Sequence, residues 1–182
     1  MSMKNSGNLV WIDLEMTGLN PFTERILEVA TIVTNSQLDI LANGPVFAIH
    51  QPKELLAAMD PWNTKQHRKT GLTERSGKST YTCRQAELET LDFIDKWVEY
   101  QASPMCGNSV CQDRRFLAQF MPTLENYFHY RNIDVSTIKE LAQRWAPDLA
   151  YFSKQCQHRA YDDIKESIDE LKYYADCFLK KR

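Results

Sequence analysis

Leu9-Val10-Trp11-Ile12-Asp13-Leu14-Glu15-Met16-Thr17-Gly18 is the stretch on which the fold of this chain turns. Leu9 to Glu15 is short, apolar and rich in strand formers, and Thr17-Gly18 is a turn signal, so the stretch predicts a strand. Two acids break its apolar character. Asp13 and Glu15 are two apart, which in a strand sends both side chains to one face. Paired carboxylates on an apolar strand are costly unless a cation or hydrogen-bond donors meet them. The alternative is an edge strand with a wet face.

Working outward, Ile26 to Thr34 is a second apolar, β-branched run, and Asp39 to His50 is a third, interrupted by Asn43-Gly44-Pro45. Three strands with short polar connections suggest an antiparallel meander. Helical spacing follows. Leu88, Leu91, Ile94, Trp97 and Val98 predict a helix from about Cys83 to Tyr100. Pro104 to Gly107 reads as a short buried strand parallel to the first. Phe116, Leu117 and Phe120 begin another helix, which Pro122 ends or restarts. Ile138, Leu141, Ala142 and Trp145 fit a shorter helix closed before Pro147. Ile164, Ile168, Leu171, Ala175 and Phe178 predict a last long helix. The fold class is therefore α/β: a mixed sheet, three antiparallel strands then parallel strands, flanked by helices. Gly71 to Ser79 resembles a phosphate-binding loop, but has one residue too many between its glycines and no apolar strand before it, so it reads as a polar surface loop.

With 182 residues the chain predicts a single domain over residues 1–182. Its 22 basic and 24 acidic side chains give a net charge of −2, which disfavours a broadly basic surface for long duplex nucleic acid but allows a short anionic ligand. No apolar run approaches the roughly 18 residues of a membrane span, and Met1 to Asn8 is too polar for a secretory signal. The five cysteines, Cys83, Cys106, Cys111, Cys156 and Cys177, are odd in number and form no CxxC, which points to reduced thiols and a cytoplasmic location. Cys106, Cys111, Cys156 and His158 lack the spacing of common zinc modules.

Three further polar residues stand near predicted helix starts. Asp113 follows the Gly107-Asn108-Ser109 turn, and taken alone fits an acid favoured by the helix dipole. His158 and Asp163 precede or open the last helix, where a surface histidine and a first-turn acid are also ordinary. The ordered set is more specific than its members: Asp13-x-Glu15, then Asp113, then His158-x4-Asp163.

This set resembles the DEDDh 3′→5′ exonuclease superfamily, whose domain is RNase-H-like. The chain is most similar to the branch that degrades very short RNA. The resemblance runs from about residue 8 to the C-terminus and is carried by Trp11 to Leu19 (WIDLEMTGL), Met59 to Asn63 (MDPWN), Gly107 to Leu117 (GNSVCQDRRFL), His129 to Thr137 (HYRNIDVST) and His158 to Ile164 (HRAYDDI). Tyr161 departs from the leucine expected there, a matter of packing rather than chemistry. The resemblance implies two divalent ions, Mg²⁺ or Mn²⁺: Asp13, Glu15 and Asp163 on one, Asp13 bridging to the second, Asp113 helping through water, and His158 as the base that takes the proton of the attacking water. The physics agrees. At about 4 Å and an effective dielectric near 20, each pair of carboxylates repels by roughly 4 kcal/mol, and all-oxygen donors suit hard divalent cations.

For substrate, the resemblance implies short single-stranded RNA, above all dinucleotides such as pGpG, cleaved to 5′-mononucleotides. Leu19 would wedge against the bases, with Trp62 and His67 nearby. Tyr130, Arg131, Ser136 and Thr137 would reach across a homodimer interface to cap the 5′ phosphate, with Ser109 joining from the same chain. On residue type alone, Leu19 and Trp62 could equally be core, and residues 130–137 a surface turn with Ser136 capping a helix. A broader exonuclease acting on longer DNA or RNA, and a non-catalytic binding module, are the competing functions.

Overall fold

The computed structural model describes residues 4–153 and 159–179. Two residues singled out above, Cys156 and His158, lie outside them. The described residues form a five-stranded sheet in the order β3-β2-β1-β4-β5: β1 (Leu9–Met16), β2 (Ile26–Thr34), β3 (Ile40–Ala48), β4 (Met105–Gly107) and β5 (Asn132–Asp134). The first three are antiparallel, while β4 runs parallel to β1, and β5 to β4. The helices are α1 (Lys53–Ala57), α2 (Pro61–Lys69), α3 (Leu72–Lys78), α4 (Cys83–Ile94), α5 (Val110–Phe120), α6 (Pro122–Tyr127), α7 (Val135–Trp145) and α8 (Ala160–Cys177).

The expected RNase-H-like mixed sheet is thus present, and β1 lies between β2 and β4 rather than at an edge. Every residue of β2 is buried, which is why it reads as an apolar run with a single acid, Glu28. The pleat divides β1. Val10, Ile12 and Leu14 enter a core with Ala86 and Ile94 of α4, Phe116 and Leu117 of α5 and Leu124 of α6. Trp11 enters the opposite core with Val135 and Ala142 of α7 and Ile164 and Ile168 of α8. Its indole N–H donates to the Thr34 hydroxyl at 3.0 Å. Asp13 and Glu15 alternate onto the Trp11 face, so apolar packing gives way to carboxylates where α8 begins.

Four expectations need correction. Asn43-Gly44-Pro45 does not interrupt the third strand: β3 is a sheet edge, which tolerates a proline, and a register irregularity between Ala30 and Ile32 absorbs the distortion. Gly44 is required there, because a Cβ would fall 2.2 Å from the Thr31 hydroxyl. Residues 72–78 are helix α3, not a loop; Leu72 packs with Leu27, Leu56 and Met59, and the buried Ser76 hydroxyl donates to the Leu27 carbonyl. Helix α4 ends at Ile94, and Leu88 is exposed, because the buried face is set by Ala86, Thr90 and Ile94. Asp134, not Ser136, caps α7, accepting from the Ser136 N–H at 3.0 Å.

Candidate functional site

β4 is three residues long and pairs with β1 only through Val10 and Trp11. Beyond Trp11 that flank of β1 has no strand neighbour, so its polar backbone needs another partner. Asp113, in the first turn of α5, supplies one: its Oδ1 accepts from the Leu14 N–H at 2.9 Å. A dipole-favoured surface acid would be exposed; Asp113 is instead buried, at 6% exposure. The short strand thus opens a cleft beside the acids and draws a fourth carboxylate toward them.

Asp13 and Glu15 come from the middle and end of β1, and Asp163 from the first turn of α8. Each offers one carboxylate oxygen, and the three oxygens lie within 4.8 Å of one another. Burial and mutual repulsion raise the pKa of the two β1 acids. Asp13 is pushed well above the usual carboxylate range, first by desolvation and then by Asp113, Glu15, Asp163 and Glu28. Desolvation, with Asp163, Glu28 and Asp113 nearby, pushes Glu15 up to about 8. Desolvation also raises Asp113 to about 7, against the lowering effect of the Leu14 N–H. Three converging carboxylate oxygens, crowded with like charge, fit a hard divalent cation.

A cavity of about 400 Å³ opens beside Glu15, lined by Leu14, Met16, Gly18, Leu19, Asp60, Trp62 and Asn63. Leu19 and Trp62 are 72% and 57% exposed, so neither is a core residue. The Leu19 carbonyl is held by the Gln112 side-chain amide of α5. Trp62 is in the first turn of α2, whose N-cap Asp60 accepts from the Trp62 and Asn63 N–H groups. His67, in the last turn of α2, is buried: Nε2 lies 2.9 Å from the Met16 carbonyl, which can only accept, so Nε2 donates. Its Nδ1 lies 3.9 Å from Glu15 Oε2.

The remaining expected residues divide between the two ends of the parallel strands. Ser109 and Ser136 follow β4 and β5, at the end where the acids lie. Their hydroxyls are 3.3 Å apart, and Asp134 gathers them by accepting from the Ser109 N–H at 2.9 Å and the Ser136 hydroxyl at 2.5 Å. Ser109 takes a left-handed backbone, φ 51°, to make that turn. Thr137 is the next residue of α7. Tyr130 and Arg131 precede β5, at the opposite end. Tyr130 is 73% exposed, and the Arg131 guanidinium lies 5.4 Å from its ring centroid. Residue type alone did not reveal Gln112, Asp134 or Glu28. Glu28 had a signal, as the one acid in an apolar strand, the same anomaly that marks Asp13 and Glu15.

The family model described as Exonuclease (RNase_T) matches residues 10–171. An oligoribonuclease of Pseudomonas savastanoi pv. phaseolicola is 60% identical over 98% of this chain and 99% of its own length. The oligoribonuclease of Acinetobacter baylyi is 55% identical over the full length of both chains. Among solved structures, E. coli exonuclease I in complex with a dT13 oligonucleotide overlays with a TM-score of 0.73 at 14% identity, over 97% of this chain and 42% of that one. Exonuclease I of Methylocaldum szegediense gives 0.71 at 14% identity, over 95% and 41%. The chain spans about two fifths of those exonuclease I chains, and the likeness concerns the fold alone. With the matched region containing β1, Asp113 and Asp163, and with identity of this order along nearly its whole length, the chain belongs to the exonuclease family and, within it, to the oligoribonucleases.

Proposed function

We propose that this chain is a metal-dependent 3′→5′ exoribonuclease that hydrolyses very short RNA, dinucleotides such as pGpG included, to 5′-mononucleotides. The observation that carries the reading is the convergence of Asp13, Glu15 and Asp163 within 4.8 Å beside a cleft walled by Leu19 and Trp62. The oligoribonuclease relatives support the same substrate class.

Asp13, Glu15 and Asp163 would hold one divalent ion, and Asp13 would reach a second. Bound Mg²⁺ or Mn²⁺ would supply positive charge and Lewis acidity at the scissile phosphodiester. Asp113, whose Oδ1 accepts from the Leu14 N–H, would help hold the ions through water. His158 would serve as the base for the attacking water, a role imidazole side chains fill near neutral pH. Leu19 and Trp62 offer apolar surface to the two bases, and stacking on an aromatic ring is worth roughly 1–3 kcal/mol. His67 braces the floor of that cleft through Met16 and Glu15.

Preference for dinucleotides needs a stop at the 5′ phosphate. Ser109, Ser136 and Thr137 lie at the acid end of the strands, but Tyr130 and Arg131 lie at the other end of β5. Within one chain that guanidinium does not share the acid end, which favours a homodimer in which Arg131 serves its partner. The reading also includes a single domain and a cytoplasmic location. Cys83, Cys106, Cys111 and Cys177 are free thiols, and no helix of the described residues is long and apolar enough to cross a membrane.

The test is a length series of 5′-labelled RNA and DNA, from two to about twenty nucleotides, with Mn²⁺. Turnover is expected to be highest on RNA dimers. Equal turnover on long strands would mark a broader exonuclease, and no turnover a binding module.

A further inference from the structure

Strand β2 carries one acid, Glu28, in an otherwise apolar run, and only 2% of that residue is exposed. It pairs in register with Glu15 on β1, so both side chains stand on the sheet face that bears the site. A further buried carboxylate beside Asp13 and Glu15 adds repulsion to a site already crowded with like charge. A position concerned only with packing would hold an apolar side chain.

Two donors from distant parts of the chain meet it. Oε1 accepts from the Arg75 guanidinium of α3 at 2.5 Å, and Oε2 accepts from the backbone N–H of Ala160 at 3.2 Å. Ala160 is the first residue of α8, and the N-cap residue, Arg159, makes no side-chain capping bond. The opening N–H groups of a helix lack intrahelical partners and favour a nearby anion. Glu28 therefore caps α8 from the sheet. Asp163 sits in the turn so anchored, its own N–H bonded back to the Arg159 carbonyl at 2.9 Å.

We infer that Glu28, oriented by Arg75, is a positioning residue: it docks the first turn of α8 on β2 so that the Asp163 carboxylate meets those of Asp13 and Glu15. The inference rests on the metal-site reading above and adds a residue that binds neither metal nor RNA.

The experiment compares Glu28→Ala, Glu28→Gln and Arg75→Ala with the wild-type chain. Mn²⁺ affinity is measured by electron paramagnetic resonance, amide exchange is followed at residues 160–163, and kcat and KM are measured on a dinucleotide. Outer residues that orient metal ligands typically change affinity by about 10- to 100-fold. A loss of that size is expected for Glu28→Ala, with faster exchange at the Asp163 amide. kcat should fall at limiting Mn²⁺, while KM at saturating Mn²⁺ stays as in the wild type. Glu28→Gln keeps an acceptor for the Ala160 N–H and should recover most of the affinity, with Arg75→Ala in between. If Glu28→Ala does not fold, the ranking of Arg75→Ala below Glu28→Gln and the wild type decides. Wild-type Mn²⁺ affinity and exchange in folded Glu28→Ala or Arg75→Ala overturns the inference while leaving the nuclease reading intact. A wild-type chain that neither binds Mn²⁺ nor hydrolyses RNA overturns both.

Discussion

The acid end of β1 and the segment from Tyr130 to Thr137 are built in opposite ways. Asp13 and Glu15 sit on the central strand, between β2 and β4, with Asp113 tied to the Leu14 N–H and Asp163 anchored through α8. Their geometry is determined within one chain. Tyr130 and Arg131 are exposed, partner each other, and precede an edge strand of three residues. Groups that must hold close like charges need a rigid, desolvated frame. In the proposed homodimer, the exposed groups would measure substrate length by completing the partner's site.

That contrast can be broken first at the acid end. Asp13→Ala, or EDTA, is expected to abolish hydrolysis of a dinucleotide, by about 10⁴-fold or more, while circular dichroism shows the fold retained. Turnover that persists in EDTA would dismiss the metal-site reading. Next comes the exposed segment. Arg131→Ala is expected to slow dinucleotide cleavage about 30-fold or more, with much less effect on longer RNA. Mixing unfolded-and-refolded Arg131→Ala with Asp13→Ala should recover about one quarter of wild-type activity, because mixed dimers hold one complete site. No recovery would place Arg131 in its own chain's site or outside any site.

A smaller effect is expected in the cleft. Trp62→Ala should raise KM for a dinucleotide about 10-fold through lost base stacking, with kcat little changed. A fall in kcat alone would show that Trp62 shapes the acid end instead.

The smallest effect sharpens the comparison through pH. In the metal-free protein Glu15 is raised to about 8 and Asp113 to about 7. The folded chain therefore keeps protons that the unfolded chain releases from about pH 4 upward. Bound protons are then fewer in the unfolded state, and stability falls as pH rises from about 4 to 8. Thermal melts in EDTA should show Tm several degrees lower at pH 8 than at pH 5, and Mn²⁺ should raise Tm more at pH 8. A Tm in EDTA that rises over that interval would mean these acids are ionised without a cation.

Much of the site was legible in the residues. Asp13 and Glu15 stood out because charge on an apolar strand demands a reason. Helix α8 was clear from its apolar stripe, and that placed Asp163 in the first turn. Residues 71–79 misled because α3 is polar in composition and owes its helix to Leu72 and Ser76 packing under β2. Leu88 misled because helical spacing does not say which stripe faces the sheet; the smaller Ala86 and Thr90 do. Asp113 looked like a helix-dipole acid, since nothing local reveals that β4 stops short and leaves the Leu14 N–H to be met.

The chain's own residue order settled the alternation of strands and helices, the acid pair on β1 and the family, because periodicity and motif spacing are local properties. Tertiary structure alone settled that three carboxylate oxygens meet, that Glu28 ties α8 to β2, and that Arg131 stands at the far end of β5 from the acids. Those depend on strand order and direction, which are chosen by packing among segments far apart in the chain.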